Sequence, residues 1–357
     1  MAIRTKIVSG GYTRLLRPLL FRAAHGDPEV IHTRMIKALG GPGSWWPTRA
    51  LLRLLIPQRG KPTTVAGIDF PSRIGLAAGM DKDGLAVKAW AALGFGFAEL
   101  GTVTAQAQPG NEKPRVFRLV SASALINRMG FNNDGAPALA ARLAKRGVYR
   151  GNGKAGLPVG ISIGKTKVVP LAEAIPDYLA SLEAVLPHAD YVAINVSSPN
   201  TPNLRELQGE GLRDLVQALI ARAAQADVNP TPLFIKIAPD LSWAEIDAIL
   251  AVAEELGAAG IIATNTTVSR DRLHPAHESH DYGPGGLSGR PLTRRAREVA
   301  GYVTAKTSLP VIGSGGIMNT DDAQAMFDVG AALIQLYTGF IYSGPGLALR
   351  INAIEKG

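Results

Sequence analysis

From residue 62 onward, short apolar runs alternate with longer amphipathic stretches. The runs are "RIGLAA" (73–78), "FAELGTV" (97–103), "LPVGISI" (157–163), "YVAINV" (191–196), "LFIKIA" (233–238), "GIIATN" (260–265), "PVIGSG" (310–315) and "ALIQLY" (332–337), each six or seven residues long. That length, with Gly, Pro, Asn and Ser at the borders, predicts strands buried on both faces. Between them "GLAVKAWAALG", "GAPALAARLAK", "PDYLASLEAVLP", "LRDLVQALIARAA", "WAEIDAILAVAEELG", "LTRRAREVAGYV" and "DDAQAMFDVG" read as helices, with "PGLALRINAIEK" at the C-terminus. Alternation of strand and helix requires parallel strands with crossovers, and eight units closing on themselves make an α/β fold of the (β/α)8 TIM-barrel type. The rival, a doubly wound sheet, lacks a G-x-G-x-x-G opening a helix after the first strand. A Walker A loop is also missing. Residues 104–156 hold "PRVFRLV" and "SALINRMGFNN", which predict an insertion with small strands over the barrel mouth.

The first 61 residues follow a different pattern. "YTRLLRPLLFRAA" interleaves arginines with leucines; "DPEVIHTRMIKALGG" offers Asp27 as N-cap, Pro28 at the first helical position and Gly40 as a stop; "PTRALLRLLIP" follows Trp45 and Trp46. No run approaches the ~18 apolar residues of a membrane span. Charge sharpens the contrast. Of the formal +9, residues 1–60 supply ten Lys/Arg against Asp27 and Glu29, or +8, leaving 28 basic against 27 acidic residues in the rest. A basic amphipathic cluster with tryptophans suits an anionic membrane surface. A helical cap on the main domain and an organelle presequence are the other readings. Nucleic acid is disfavoured, because a basic body and stacking platforms are both missing. The chain therefore divides into an N-terminal helical segment, 1–61, and a barrel, 62–357.

Composition removes several chemistries. With no cysteine there are no disulfides, thiolate metal sites or cysteine bases. Three of the six histidines, His274, His277 and His280, fall within seven residues and the other three are scattered, and no metal is expected. What remains converges on the strand ends: "AAGMDKDG", "GTVT", "SIGKTK", "NVSSPN", "KIAPD", "TNTT", "GSGG" and "LYTG". Glycines after strands seven and eight suit phosphate, and "GGLSGR" (285–290) offers further N–H groups. Lys236, inside an apolar run, needs an anionic partner, which a flavin, phosphate or substrate carboxylate would supply. Lys82 has the same need, with Asp81 as a possible protein partner. Asn127, Asn195, Asn200, Asn265 and Thr266 donate and accept without charge, as a planar imide-like ring requires.

These segments, with "GTVTAQAQPGN", "INRMGFNN", "INVSSPNTPNLRELQG" and "GGLSGRPL", resemble the dihydroorotate dehydrogenases along nearly the whole chain. The basic extension and the serine in the strand-four loop resemble the quinone-linked, membrane-associated class 2; the soluble class 1 uses a cysteine base. The resemblance implies FMN as cofactor, oxidation of (S)-dihydroorotate to orotate in pyrimidine biosynthesis, and electron delivery to a membrane quinone. It also implies peripheral attachment to the cytoplasmic face of a bacterial inner membrane, or to a mitochondrial inner membrane. Ser198 would be the base. Lys82, Asn127, Asn195, Asn200, Asn265 and Thr266 would hold the substrate, covered by the loop Arg128, Met129, Gly130 and Phe131. FMN would meet Ala78, Gly79, Met80, Asp81, Lys82, Thr102, Asn195, Lys236, Thr264, Gly289, Gly316, Tyr337 and Thr338. His32 and Arg118 would line the quinone path. Ser162 departs from the family's usual asparagine. Two other readings are a flavin barrel acting on another cyclic amide and a non-catalytic barrel binding a phosphate ligand.

Overall fold

The computed structural model describes residues 7–56, 60–201, 204–209, 211–273 and 282–354. All eight apolar runs are barrel strands: β1 (Ile74–Leu76), β2 (Phe97–Val103), β3 (Val159–Ile163), β4 (Tyr191–Asn195), β5 (Leu233–Ile237), β6 (Gly260–Ala263), β7 (Val311–Ser314) and β8 (Leu333–Leu336). Each pairs in parallel with its neighbours in sequence, and β8 closes on β1. The outer layer includes α4 (Ala136–Lys145), α5 (Ala174–Val185), α6 (Leu212–Ala226), α7 (Trp243–Leu256), α8 (Thr293–Lys306) and α9 (Thr320–Asp328). The short α10 (Thr338–Ser343) and α11 (Pro345–Ile354) end the described chain.

One expected helix does not form. "GLAVKAWAALG" is a series of turns with one 3-10 helix at Trp90–Leu93. The buried Asp81 carboxylate explains the difference, accepting the Ala86 backbone N–H and the Trp90 indole N–H, both at 2.9 Å. A side-chain acceptor at the segment's start competes with the helical carbonyls and winds the chain around itself.

The N-terminal end of the barrel is packed solid. A hairpin of Thr63–Val65 and Ile68–Phe70 closes it, and Phe97, Tyr191, Phe234, Ile262, Ile312 and Leu333 fill the interior above. Glycines make the space: a Cβ on Gly160 would lie 2.1 Å from the Tyr191 ring, and one on Gly75 2.2 Å from Phe97. Each such ring removes enough surface from water to contribute about 2–3 kcal/mol. Filling one end confines any cavity to the other.

Over the open end lie two antiparallel strands of the insertion, Val116–Leu119 and Ala124–Asn127, as the sequence predicts. A third strand, Gly286–Gly289, joins them where the pattern suggested a glycine-rich loop. "GLSG" carries little intrinsic strand preference. The edge of Ala124–Asn127 and the burial of Leu287 with Leu119 and Ile126 impose the conformation.

Before the barrel come a π-helical turn at Gly11–Leu16, then α1 (Arg17–Arg22), α2 (Pro28–Gly40) and α3 (Trp46–Leu55). Asp27 caps α2 as expected, accepting the N–H groups of Glu29 and Val30 at 2.8 and 3.1 Å. None of these helices is long and apolar enough to cross a membrane. The segment packs on the body: Arg115 makes a forked pair with Glu29 at 2.7 and 3.0 Å, and the Tyr12 hydroxyl donates to the Ile341 carbonyl at 2.6 Å. Its outer face is apolar. Of the sixteen strongly exposed large hydrophobic side chains among the described residues, nine lie here, including Leu15, Leu19, Trp45, Trp46, Leu51 and Leu54.

Candidate active site

The strand C-termini and the inner face of the insertion enclose a cavity. One wall is an amide network. Asn195, the last residue of β4, donates its side-chain N–H to Thr102 Oγ1 at 2.8 Å, and Thr102 shares a 2.8 Å hydroxyl bond with Ser162. Asn195 Oδ1 accepts from the Ser197 hydroxyl at 3.1 Å and from the Asn265 amide at 3.3 Å. Asn200 donates to Asn127 Oδ1 at 3.1 Å, and its backbone N–H donates to Ser198 Oγ at 3.2 Å. Four amides from three separate stretches of the chain are thus oriented in two pairs, with Ser198 among them. Ser162 does not line the cavity and instead supports Thr102 from behind.

Charge in the cavity has one sign. Lys82 and Lys236 line it, and no carboxylate does among the described residues. Lys82 donates to Asn132 Oδ1 at 2.7 Å, not to Asp81, whose carboxylate faces Trp90. Burial, reinforced by the Arg115 guanidinium and opposed by Glu29 and Asp83, lowers the Lys82 ammonium to about 8. Lys236 has a protein partner that sequence reasoning missed: Glu99, wholly buried, at 3.3 Å. The signal was present, since each residue is a charge inside an apolar run.

Glycines form the end near strands seven and eight. Gly289, Gly315, Gly316 and Gly339 line it. Gly316 has φ +67°, and a Cβ there would lie 2.2 Å from the Thr293 Cα, so only glycine fits. A space walled by bare backbone, in a cavity also lined by two lysines and no carboxylate among the described residues, suits an anionic group such as phosphate.

Most of the expected residues meet at this cavity. Ala78, Gly79, Thr102, Thr264, Tyr337 and Thr338 join those above, with Thr266, Met129, Gly130 and Phe131 toward the insertion. Several side chains lie elsewhere. Met80 is buried in the barrel core, Asp81 is turned to Trp90, and the Arg128 guanidinium reaches the carbonyls of Pro114 and Pro284 outside the cavity. His32 and Arg118 also lie off the lining. His32, half-buried on α2, is depressed to about 4 by desolvation and by the nearby Lys82. Arg118 sits 4.3 Å over the Phe21 ring and donates to the carbonyls of Phe21 and Gly26, at the junction of extension and insertion. Gln335, Ser288 and Ser314 line the cavity without having been anticipated.

The family model for dihydroorotate dehydrogenase matches residues 62–355. The chain belongs to the dihydroorotate dehydrogenase family. A relative from Salinispora arenicola named dihydroorotate dehydrogenase (quinone) is 51% identical over 353 residues, covering 97% of this chain and 99% of its own. One from Chloroflexus aurantiacus with the same name is 50% identical, covering 94% of each chain. The crystal structure of the Eimeria tenella dihydroorotate dehydrogenase in complex with ferulenol superposes with a TM-score of 0.83 at 33% identity, over 95% of this chain and 93% of that one. Similarity to these dihydroorotate dehydrogenases extends through the N-terminal helices as well as the barrel. Enzymes of the family use a flavin.

Proposed function

We propose that this chain oxidises dihydroorotate to orotate with FMN as its flavin and passes the electrons to a membrane quinone. The observation that carries the reading is the cavity itself, in which Ser198, the amides of Asn127, Asn195, Asn200 and Asn265, and two lysines face a common space. The glycine end, with Gly289 and Gly316, would hold the FMN phosphate. Ala78, Gly79, Thr102, Lys236, Thr264, Tyr337 and Thr338 would surround the rest of the cofactor. When bound, FMN supplies a hydride acceptor.

Ser198 takes the C5 proton of dihydroorotate as the C6 hydride leaves. Asn127, Asn195, Asn200, Asn265 and Thr266 match the ring's carbonyl and N–H edges, and Lys82 holds its carboxylate. A serine hydroxyl is a weak base, so it depends on exclusion of water and on a path for the proton. Ser198 and Asn200 line both the cavity and a cleft on the outer side with Lys167, Arg205 and Glu206. The proton leaves toward that cleft.

The arm of α1 to α3 lies peripherally on an anionic membrane, on the cytoplasmic face of a bacterial inner membrane, through its exposed leucines and tryptophans and its arginines. Quinone enters between arm and insertion, past His32 and Arg118. The test is anaerobic addition of dihydroorotate to the purified yellow protein. Bleaching of the flavin band, reversed by a soluble ubiquinone analogue but not by fumarate or NAD, supports the reading. A band bleached only by another cyclic amide assigns a different substrate, and protein without flavin overturns the assignment.

A further inference from the structure

Beneath the cavity, Glu99 of β2 occupies a place where hydrocarbon would pack at less cost. Its carboxylate accepts from Gln335 Nε2 of β8 at 2.6 Å and from the Tyr191 hydroxyl of β4 at 3.0 Å, and it pairs with Lys236 Nζ of β5 at 3.3 Å. Glu99 itself does not line the cavity, but Lys236 and Gln335 do. A buried ion pair is rarely more stable than an apolar set of equal volume, and the interior just below is apolar, with Phe97, Phe234 and Ile262. A second observation points toward the cavity. By donating Nε2 to Glu99, Gln335 leaves its Oε1 buried without a partner.

We propose that Glu99 is a positioning residue, which keeps Lys236 cationic and Gln335 oriented with its acceptor free, so that the cavity floor offers a bound flavin one fixed charge and one fixed acceptor. The proposal rests on the assignment of FMN to this cavity. Glu99 from β2 pairs with Lys236, and Tyr191 from β4 donates its hydroxyl to Glu99. Burial and Glu99 push the Tyr191 phenol well above its ordinary value, with Asp190 at the start of β4 acting in the same direction. Tyr191 thus stays a neutral donor, and among the described residues Glu99 is the ion-pair partner of Lys236. Lys82 is the other cation on the cavity wall.

Without Glu99 the buried Lys236 ammonium has no counter-charge, and desolvation favours the neutral amine as pH rises. The experiment follows release of FMN from the full-length holoprotein by recovery of free-flavin fluorescence between pH 6 and pH 9. Release is expressed as the ratio of variant to wild type, so that titration of Lys82 cancels. For Glu99→Gln the ratio is expected to rise roughly tenfold across this range, one factor of ten per unit of linked ionisation. In the double variant Glu99→Gln with Lys236→Met, and in Tyr191→Phe, it stays flat. A flat ratio in Glu99→Gln, or an equal rise in Tyr191→Phe, overturns the proposal. If Glu99→Gln does not fold, Lys236→Met gives a second reading. Glu99, left without its counter-charge, takes up a proton and gains a protonated-carboxyl infrared band, and absence of that band also overturns the proposal. Wild-type protein that carries no flavin defeats the FMN assignment instead.

Discussion

At the scale of single residues, the site depends on neutral groups that orient one another and on two cations that do not share a role. Replacing Ser198 by alanine removes the hydroxyl and the 3.2 Å bond it accepts from the Asn200 backbone N–H, while the side-chain Asn127–Asn200 bond does not involve it. Flavin retention is therefore expected to hold while its reduction by dihydroorotate slows ~10²- to 10⁴-fold in stopped-flow measurements, the loss typical of a general base. Unchanged reduction removes Ser198 from the mechanism. Lys82 should govern the alkaline limb. Its ammonium, lowered to about 8, is present below that pH and lost above it, so kcat/KM for the anionic substrate is expected to fall up to tenfold per unit above pH about 8. Lys82→Met should lower kcat/KM roughly 10- to 100-fold, the worth of a charged hydrogen bond, and abolish the limb. A limb that persists in that variant assigns it to another group. The amides and Ser198 were legible in the sequence because they close apolar runs. Glu99 and Gln335 were harder to recognise, since their partners come from different strands and only register places them together.

At the scale of elements, the eight strands were readable because a run buried on both faces has a simple apolar signature. The turn series after β1 and the strand Gly286–Gly289 were not, because each owes its form to a distant partner: the Asp81 carboxylate in one case, the edge of Ala124–Asn127 in the other. The glycines inside strands are equally specific. Gly160→Ala would force a methyl against the Tyr191 ring, and the strained packing should cost about 1–3 kcal/mol in denaturant unfolding. A neutral outcome would mean that the ring moves freely, contrary to its complete burial.

At the scale of the whole molecule, a packed barrel end, a polar mouth and an apolar arm divide the work. The charge count already separated the arm from the body, but the forked Arg115–Glu29 pair joining them could not be read from either segment alone. Deleting residues 1–60 is expected to reduce quinone-dependent turnover far more than flavin reduction by dihydroorotate, compared by steady-state and single-turnover assays of the same preparation. Equal loss of both would make the arm a structural cap.

The arm's first contacts also carry a consequence for the order in which the protein is made. Ser9 accepts from Arg350 at 2.5 Å, Tyr12 packs against Gly344 and donates to Ile341, and Arg17 donates to the Tyr342 carbonyl at 2.9 Å. These partners lie at least 325 residues further along the chain and are made correspondingly later. Until they are made, the basic and apolar arm therefore lacks this docking surface, while a membrane can already receive it. Ribosomes stalled before residue 340 should co-sediment with anionic vesicles more strongly than the finished protein does.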